Sequence, residues 1–272
     1  MPEGPEIRRL ADRLDRLLGG RVIERAWFAF PHLQAQVSRL EGRRLISVTS
    51  RGKALLSRFD EGSVIYSHNQ LYGVWRVGRR GEMPVTARSP RLRLSTARHD
   101  AWLFSASDIS LWREAELAHH PFLSRLGPEP LDPGVDVADV VARLRLREFS
   151  SRQLGVLLLD QGFLAGIGNY LRSEALFFAG LLPEWRPREL DDAQCAMLAE
   201  SILSVTRRAY RRAGVTNLAA WREPMIAQGL TRRHWRHAVF GRTGEPCHAC
   251  GTPIGRRLVA SRRLYCCPHC QR

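Results

Sequence analysis

The residues with the most distinctive chemical capacity lie at the amino terminus, where Pro2 is followed directly by Glu3. Removal of Met1 would expose the Pro2 nitrogen as an α-amine, whose pKa of about 8 is roughly two to three units below that of lysine. Part of such an amine is unprotonated at neutral pH and can attack an aldehyde-like carbon to form a Schiff base. Glu3 can donate a proton if its pKa is raised. A Met-Pro start alone is common in chains without this chemistry.

A second candidate is Lys53, the only lysine among 42 basic residues. A bias toward arginine can simply reflect the base composition of a genome. It can also mark a position where arginine would not serve, because an ammonium group can give up its proton in a protein and a guanidinium group cannot. We therefore expect a chemical role for Lys53.

Four cysteines near the carboxyl end have the spacing of a zinc site. Two Cys-x₂-Cys pairs, separated by 16 residues, would each direct two sulfurs at one tetrahedral ion, and the segment between them is long enough for a β-hairpin. A redox or disulfide motif is the alternative, and it fits poorly in a cytosolic chain. The predicted ligands of one structural Zn²⁺ are Cys247, Cys250, Cys267 and Cys270. Cys266 breaks the spacing, and Cys195 is expected to be a core residue.

The charge of the chain indicates a polyanionic partner. The 272 residues carry a formal net charge of +15, and residues 206–272 contain 14 arginines against 2 acidic residues. This asymmetry is typical of a segment that contacts phosphates, and it favours a nucleic-acid-binding protein. An apolar fraction of 44% excludes a disordered tail protein. No apolar run approaches the roughly 20 residues of a membrane span, and the acidic start is no secretory signal. We expect a cytoplasmic protein without a membrane partner.

The elements that must position these residues fall into three groups. Residues 5–18 have helical spacing, and from residue 21 to about residue 113 apolar residues alternate in short segments joined by glycine-bearing turns. After a proline-rich linker, residues 137–149, 154–160, 169–179 and 192–213 are predicted helices. The prediction is an α+β protein with an amino-terminal antiparallel β-sandwich (1–127), a helical domain (133–236) and a zinc-bound hairpin (237–272).

Several motifs together resemble one family. They are the start Met1-Pro-Glu-Gly-Pro-Glu6, Arg51-Gly-Lys53, Gly166-Ile-Gly-Asn-Tyr170 and the four-cysteine tail. In this order and from end to end they resemble the bifunctional DNA glycosylases of the formamidopyrimidine-DNA glycosylase/endonuclease VIII family. Residues 68–75 and 27–31 look like the endonuclease VIII branch, which excises oxidised pyrimidines.

The resemblance implies catalytic roles for four residues. Pro2 would attack C1′ of the damaged nucleotide, displace the base and leave an iminium bonded to DNA. Glu3 would donate the proton that assists sugar opening, and Lys53 would be the proton donor in β-elimination. Arg262 corresponds to the arginine assigned to δ-elimination, with its neighbour Arg263 as the alternative.

The resemblance also implies how DNA is held. Gln70, Leu71 and Tyr72 match the wedge that fills the gap left by a flipped nucleotide, although Leu71 and Tyr72 could be ordinary strand residues. Asn169 would begin the second helix of a helix-two-turns-helix and hold a phosphate, or serve only as an N-cap. Arg125 and, more weakly, Arg172 are further DNA contacts. The implied partner is double-stranded DNA with a damaged base or abasic site, bound by a monomer in the bacterial nucleoid without a nucleotide cofactor.

One segment departs from the family pattern. Residues 214–236 are longer and richer in tryptophan and arginine than expected for a compact endonuclease VIII. In the formamidopyrimidine branch this region forms a loop over the flipped base. The same chemistry on oxidised purines such as 8-oxoguanine is therefore an alternative, and a non-catalytic zinc-ribbon DNA-binding protein is a second alternative.

Overall fold

The amino-terminal helix α1 (Gly4–Leu18) is shaped by its apolar spacing. Ile7, Ala11, Leu14 and Leu18 recur every three or four residues, which brings them to one buried face. The helix ends at Gly19-Gly20, where Gly20 adopts a positive φ of 72°. The computed structural model describes residues 1–272 and divides them into two compact units, the first of residues 1–2 and 6–125 and the second of residues 3–5 and 126–272.

Nine antiparallel strands follow α1 in the first unit. They are β1 (Arg21–Val22), β2 (Arg25–Phe28), β3 (Arg44–Arg51), β4 (Ala54–Phe59), β5 (Ser63–His68), β6 (Val74–Arg79), β7 (Pro90–Ser95), β8 (His99–Phe104) and β9 (Asp108–Arg113). One sheet has the order β1-β3-β4-β5-β9 and the other has the order β2-β7-β8-β6. A short helix α2 (Pro31–Gln34) and a 3₁₀ turn (Val37–Arg39) connect β2 to β3.

A single core joins the two sheets and α1. Leu45, Leu55 and Ile65 of the first sheet pack in the same cluster as Leu92 and Leu103 of the second. Because alternate residues of a strand point to opposite faces, each sheet has one face toward this core. The predicted β-sandwich preceded by a helix is confirmed.

The second unit is mostly helical. Its helices are α3 (Val137–Arg145), α4 (Arg147–Ser150), α5 (Leu154–Leu157), α6 (Asn169–Phe178), α7 (Asp192–Arg211), α8 (Ala219–Ala227) and α9 (Arg232–Trp235). It ends in a hairpin of β10 (Gly255–Val259) and β11 (Arg262–Cys266). Leu264 and Cys266 of the hairpin belong to the same core as α6 and α7, so the predicted zinc-bound hairpin lies in one compact unit with the helices.

The helix predicted over residues 137–149 is broken at Leu146, which has the extended conformation φ −60°, ψ 137°. A continuous helix would place Glu148, four residues beyond the buried Leu144, toward the core. The break instead brings Phe149 into the core, where its ring contacts that of Phe163 edge to face. Period counting alone cannot locate a break of this kind.

Segment 214–236, which departs from the family pattern, contains the helices α8 and α9. Its Trp221 stacks on Phe178 of α6 with an interplanar angle of 10°, and on His248 with an angle of 25°. His248 lies between the first two cysteines, so this segment packs on the cysteine-rich end. No helix of the chain combines the length and apolar character needed to cross a membrane.

Candidate functional site

The Glu3 carboxylate is fixed at the amino-terminal end of α6. One oxygen accepts the backbone N–H groups of Gly168 at 2.8 Å and Leu171 at 3.2 Å, and the other accepts that of Tyr170 at 2.8 Å. These are N–H groups that the first turn of a helix leaves without intrahelical partners. Glu3 is buried. Through these hydrogen bonds it caps a helix that begins more than 160 residues later in the chain.

Gly168 makes this contact possible. A Cβ atom at position 168 would lie 2.4 Å from Glu3 Cδ, which real Cβ atoms do not tolerate. The strand of chain beside Pro2 is held further by Gly4, whose N–H donates to the carbonyl of Gly166 at 2.8 Å. Pro2 itself is half-buried. The Gly-Ile-Gly sequence is therefore needed for the close approach of the amino-terminal segment.

Lys53 lies at the tip of the β3–β4 hairpin, as predicted. Arg51 pairs with Ala54, which leaves Gly52 and Lys53 as a two-residue loop. Gly52 has a φ of 60°, the positive value that such tight hairpin loops require. Lys53 is half-buried, and its ammonium charge acts on His68.

His68 is a site residue that the sequence analysis did not single out. Burial holds the pKa of His68 below its ordinary value; the negative charge of Asp108 opposes this shift and the charge of Lys53 adds to it. The backbone N–H of Gln70 donates to His68 Nδ1 at 3.0 Å, which requires an unprotonated Nδ1. Neutral His68 therefore supports the turn that follows β5. The indication in the sequence was that His68 begins the segment 68–75, which looks like the endonuclease VIII branch.

The predicted wedge residues lie on that turn and not within a strand. Gln70 adopts a positive φ of 52°, and its side-chain oxygen accepts the Ser107 hydroxyl at 3.0 Å. Leu71 and Tyr72 are 58% and 64% exposed, which is unusual for large apolar side chains. The backbone carbonyl of Tyr72 accepts a hydrogen bond from Arg88 at 2.5 Å. The turn thus presents two apolar side chains to solvent from a fixed backbone.

Asn169 is the first residue of α6, and Gly168 is the N-cap. The Asn169 amide donates to the backbone carbonyl of Arg263 at 2.6 Å, and its oxygen accepts from Arg172 at 2.6 Å. The interpretation of Asn169 as a simple N-cap is therefore wrong, because its side chain joins α6 to the hairpin strand β11.

Arg172 is placed differently from the expected DNA contact. Its side chain is 0% exposed and also donates to the Gly155 carbonyl at 2.6 Å. Burial, together with the charge of Arg262, lowers the pKa of Arg172 to about 10, and Glu3 opposes this shift. A guanidinium group that is buried and engaged in this way is not exposed to a phosphate, and it orients the Asn169 side chain.

The two hairpin arginines and Arg125 are exposed. Arg262 and Arg263 begin β11, after the turn residues Ala260 and Ser261 with φ values of 52° and 58°. Arg125 ends a 3₁₀ turn (Leu123–Arg125) in the first unit, and its Nε donates to the Pro121 carbonyl at 2.7 Å. All three side chains are accessible to a phosphate.

A second buried carboxylate, Glu174 of α6, was missed by the sequence analysis. It is 0% exposed and accepts the backbone N–H groups of Ala238, Val239 and Phe240 at 2.8–2.9 Å. The Thr216 hydroxyl donates to the same carboxylate at 2.6 Å. Glu174 therefore fastens the chain that enters the cysteine-rich hairpin to α6. A glutamate inside a helical pattern gives no signal for such a role.

The four predicted zinc ligands come together. Their Sγ atoms all lie within 4.8 Å of one another, with 3.9 Å between Cys247 and Cys270 and 3.5 Å between Cys250 and Cys267. A tetrahedron with Zn–S distances of about 2.3 Å has S···S distances of about 3.8 Å. The thiolate set fits one Zn²⁺ ion. Cys266 and Cys195 lie outside the cluster and are buried, as expected.

Comparisons with known proteins agree along the chain. Residues 1–109 match the Formamidopyrimidine-DNA glycosylase N-terminal domain family, and residues 126–219 match the Formamidopyrimidine-DNA glycosylase H2TH domain family. Endonuclease 8 of Klebsiella pneumoniae is 46% identical over 275 residues, with both chains covered completely.

Two solved structures share the fold over the whole of both chains. They are complexes of Lactococcus lactis Fpg with DNA containing N7-benzyl-Fapy-dG and with DNA containing an oxidised pyrimidine. Each has a TM-score of 0.82 and 23% sequence identity. At this identity the likeness concerns the fold, including the predicted helix-two-turns-helix domain.

Proposed function

The chain belongs to the formamidopyrimidine-DNA glycosylase/endonuclease VIII family of DNA glycosylases with abasic-site lyase activity, and from this premise we propose that it removes oxidised pyrimidines from double-stranded DNA through the Pro2 amine. The non-catalytic zinc-ribbon alternative is thereby excluded. A bacterial enzyme of this kind acts in the cytoplasm on the nucleoid, and it needs no nucleotide cofactor.

The proposed reaction begins at the Pro2 nitrogen once Met1 has been removed. The amine attacks C1′ of the damaged nucleotide, the C1′–base bond breaks and the base leaves. The resulting iminium holds the opened sugar on the enzyme. Lys53 supplies the proton for β-elimination and Arg262 assists δ-elimination, after which hydrolysis of the iminium frees the amine.

The observation that carries this proposal is the fixed Glu3 carboxylate. Three backbone N–H groups hold it in one orientation directly beside Pro2 in the chain. A proton donor for sugar opening needs such a fixed position, because general acid catalysis depends on geometry before pKa. In this arrangement the carboxylate would take up the proton that the Pro2 nitrogen loses as it bonds to C1′, and deliver it to O4′.

The hairpin arginine assigned to δ-elimination is Arg262 in this proposal. Its positive charge acts on buried Arg172, which in turn binds Asn169. Adjacent residues of a strand point to opposite faces, so Arg263 is directed away from the side that Arg262 occupies. Arg262 thus belongs with the Asn169 and Glu3 group at the start of α6.

DNA binding is proposed to use four further residues. Leu71 and Tyr72 would fill the gap in the stack, because they are exposed on a turn whose backbone is fixed at Gln70. Exposed Arg125 and half-buried Asn169, whose side chain reaches the hairpin strand β11, would hold phosphates. One structural Zn²⁺ bound by the four cysteines would supply the folding free energy of the hairpin.

Borohydride trapping tests the proposed nucleophile. The parent enzyme is expected to form a reduced covalent adduct with abasic or thymine-glycol DNA, and mass spectrometry should map the adduct to Pro2. Pro2→Gly should lose the adduct, whereas Pro133→Gly in the exposed linker should trap as the parent does. An adduct that maps to another residue would refute the mechanism.

Oxidised purines are the second candidate substrate class. The observation in favour is that segment 214–236 forms α8 and α9, in the region where the formamidopyrimidine branch carries its loop over the flipped base. Excision rates on matched duplexes with thymine glycol, dihydrouracil or 8-oxoguanine decide between the classes. Faster release of 8-oxoguanine would transfer the proposal to purines without changing the Pro2 chemistry.

A further inference from the structure

A row of alternating tryptophan and arginine crosses the second sheet of the first unit. Trp27 pairs with Arg93, Arg93 pairs with Trp102, and Trp102 pairs with Arg76. The strand neighbours of these residues, such as Phe28, Leu92 and Leu103, face the sandwich core. The row therefore lies on the outer face of the sheet.

The side chains of the row form flat, stacked surfaces. The Arg93 guanidinium lies 5.2 Å from the centre of the Trp102 ring, within the range of a cation–π contact. Behind it, Phe104 stacks on Trp102 with ring centres 6.1 Å apart and an interplanar angle of 21°. Flat surfaces of this kind are suited to a planar ligand.

A cavity opens at this row. It has a volume of about 240 Å³ and is lined by Trp27, Met83, Pro90, Arg93 and Trp102. Sites for drug-sized ligands are usually about 300–1,000 Å³, so this cavity suits a single ring system. Met83, which is 53% exposed, also lines a neighbouring cavity of about 410 Å³ that includes Arg13 and Arg76.

Two polar groups of the cavity lining have no partner in the protein. The indole N–H of Trp102 and the Nε–H of Arg93 are buried without a hydrogen bond, and Trp102 is only 8% exposed. A buried donor without an acceptor costs free energy. On the same face, one carboxylate oxygen of Asp100 accepts the Gly81 N–H at 2.9 Å, and its other oxygen is also buried without a partner.

The cavity is connected to the turn that carries Leu71 and Tyr72. Met83 and Pro90 flank a loop whose Arg88 donates to the Tyr72 carbonyl at 2.5 Å. At its end, the Ser89 carbonyl accepts the Ser105 N–H at 2.9 Å. The loop thus joins the row to the part of the first unit that, in the proposed function, enters the DNA.

We propose that this cavity binds one unpaired nucleobase of a single-stranded DNA segment. The base stacks on the half-buried Trp27 ring and on the Arg93 guanidinium plane. Arg93 and Arg76 attract the phosphates, as in other single-strand sites that combine aromatic rings with arginines. The site is additional to the excision reaction, because none of its residues has a role in the proposed mechanism.

Photocrosslinking locates the base directly. Full-length enzyme is irradiated with a lesion-free single strand of deoxythymidines that carries one 5-iododeoxyuridine, and the crosslinked peptide is identified by mass spectrometry. The expected crosslink is at Trp27 or Trp102. Crosslinks confined to other residues, including Leu71 and Tyr72, would overturn the proposal.

Variants test the energetic contribution of the row. Trp27→Leu and Arg93→Gln should weaken binding of fluorescein-labelled oligodeoxythymidine by about five- to tenfold. Trp112→Leu, on the first sheet, is the matched control and should bind as the parent does. Equal affinity of all variants for oligodeoxythymidine would refute the site. If the variants bind oligodeoxythymidine as the parent does but lose binding to labelled polyglutamate, the proposal is overturned and the face is assigned to an acidic protein partner.

The same variants keep this inference separate from the proposed function. Excision of thymine glycol from a fully paired duplex should be unchanged in Trp27→Leu and Arg93→Gln, which also verifies that they fold. Failure of the parent to excise any lesion would refute the proposed function. The measurement of single-strand binding would still test the cavity by itself.

Discussion

Replacement of Glu3 by glutamine tests the link between the helix cap and the chemistry. The carboxylate accepts three buried N–H groups with two oxygens. In Glu3→Gln the amide nitrogen must face at least one of these donors, which leaves a buried N–H unsatisfied at a cost of about 1–3 kcal/mol. Loss of the negative charge at the start of α6 removes about 0.3–2 kcal/mol more.

The expected total is therefore a loss of about 1–5 kcal/mol in the free energy of unfolding. Urea unfolding, followed by far-ultraviolet circular dichroism, measures it as a lower midpoint with an unchanged slope. Single-turnover excision of thymine glycol should fall in the same variant. Glu148→Gln, an exposed residue of α4, is the control and should change neither quantity.

A variant that is inactive but as stable as the parent would refute this reasoning. It would mean that the three hydrogen bonds contribute no net stability and that Glu3 acts only on substrate. A variant that is destabilised but fully active would refute its proposed role as proton donor instead.

Three further predictions follow from the site. Leu71→Ala and Tyr72→Ala should change stability by less than about 0.5 kcal/mol because both side chains are exposed, yet they should slow excision from duplex DNA more than cleavage of a single-stranded abasic site. Cys250→Ser should lower bound zinc, measured by a chromogenic chelator after denaturation, and weaken DNA binding, whereas Cys195→Ala should retain both. Burial lowers the pKa of His237 to about 4, so between about pH 6.5 and 4 the unfolded chain binds more protons and the free energy of unfolding decreases as the pH is lowered. His237→Gln should flatten this dependence in urea titrations.

The cluster of four cysteines could be predicted from sequence, because regularly spaced residues form it. Lys53 was placed on its hairpin by the alternation of strands β3 and β4. The sandwich followed from the same two-residue period. Features of this kind depend on neighbours in the chain.

The remaining features depend on contacts between distant residues. Arg172 and Glu174 lie on one helix, and nothing in their sequence surroundings indicates that the first is buried against Gly155 and Asn169 or that the second binds residues 238–240. Helix α8 was not predicted from the sequence, because it contains Pro224 and proline removes a hydrogen bond from a helix interior. The helix also packs through Trp221 on Phe178 and His248, and a single sequence does not display these contacts.

Position 168 carries a consequence for inheritance. A side chain at position 168 would clash with the Glu3 carboxyl group and displace it from the start of α6. The two codons are nevertheless separated by more than half of the gene. A genetic screen for strains that lose repair should therefore recover changes at both codons with the same phenotype. A change at codon 3 could not be compensated at codon 168, because no residue is smaller than glycine.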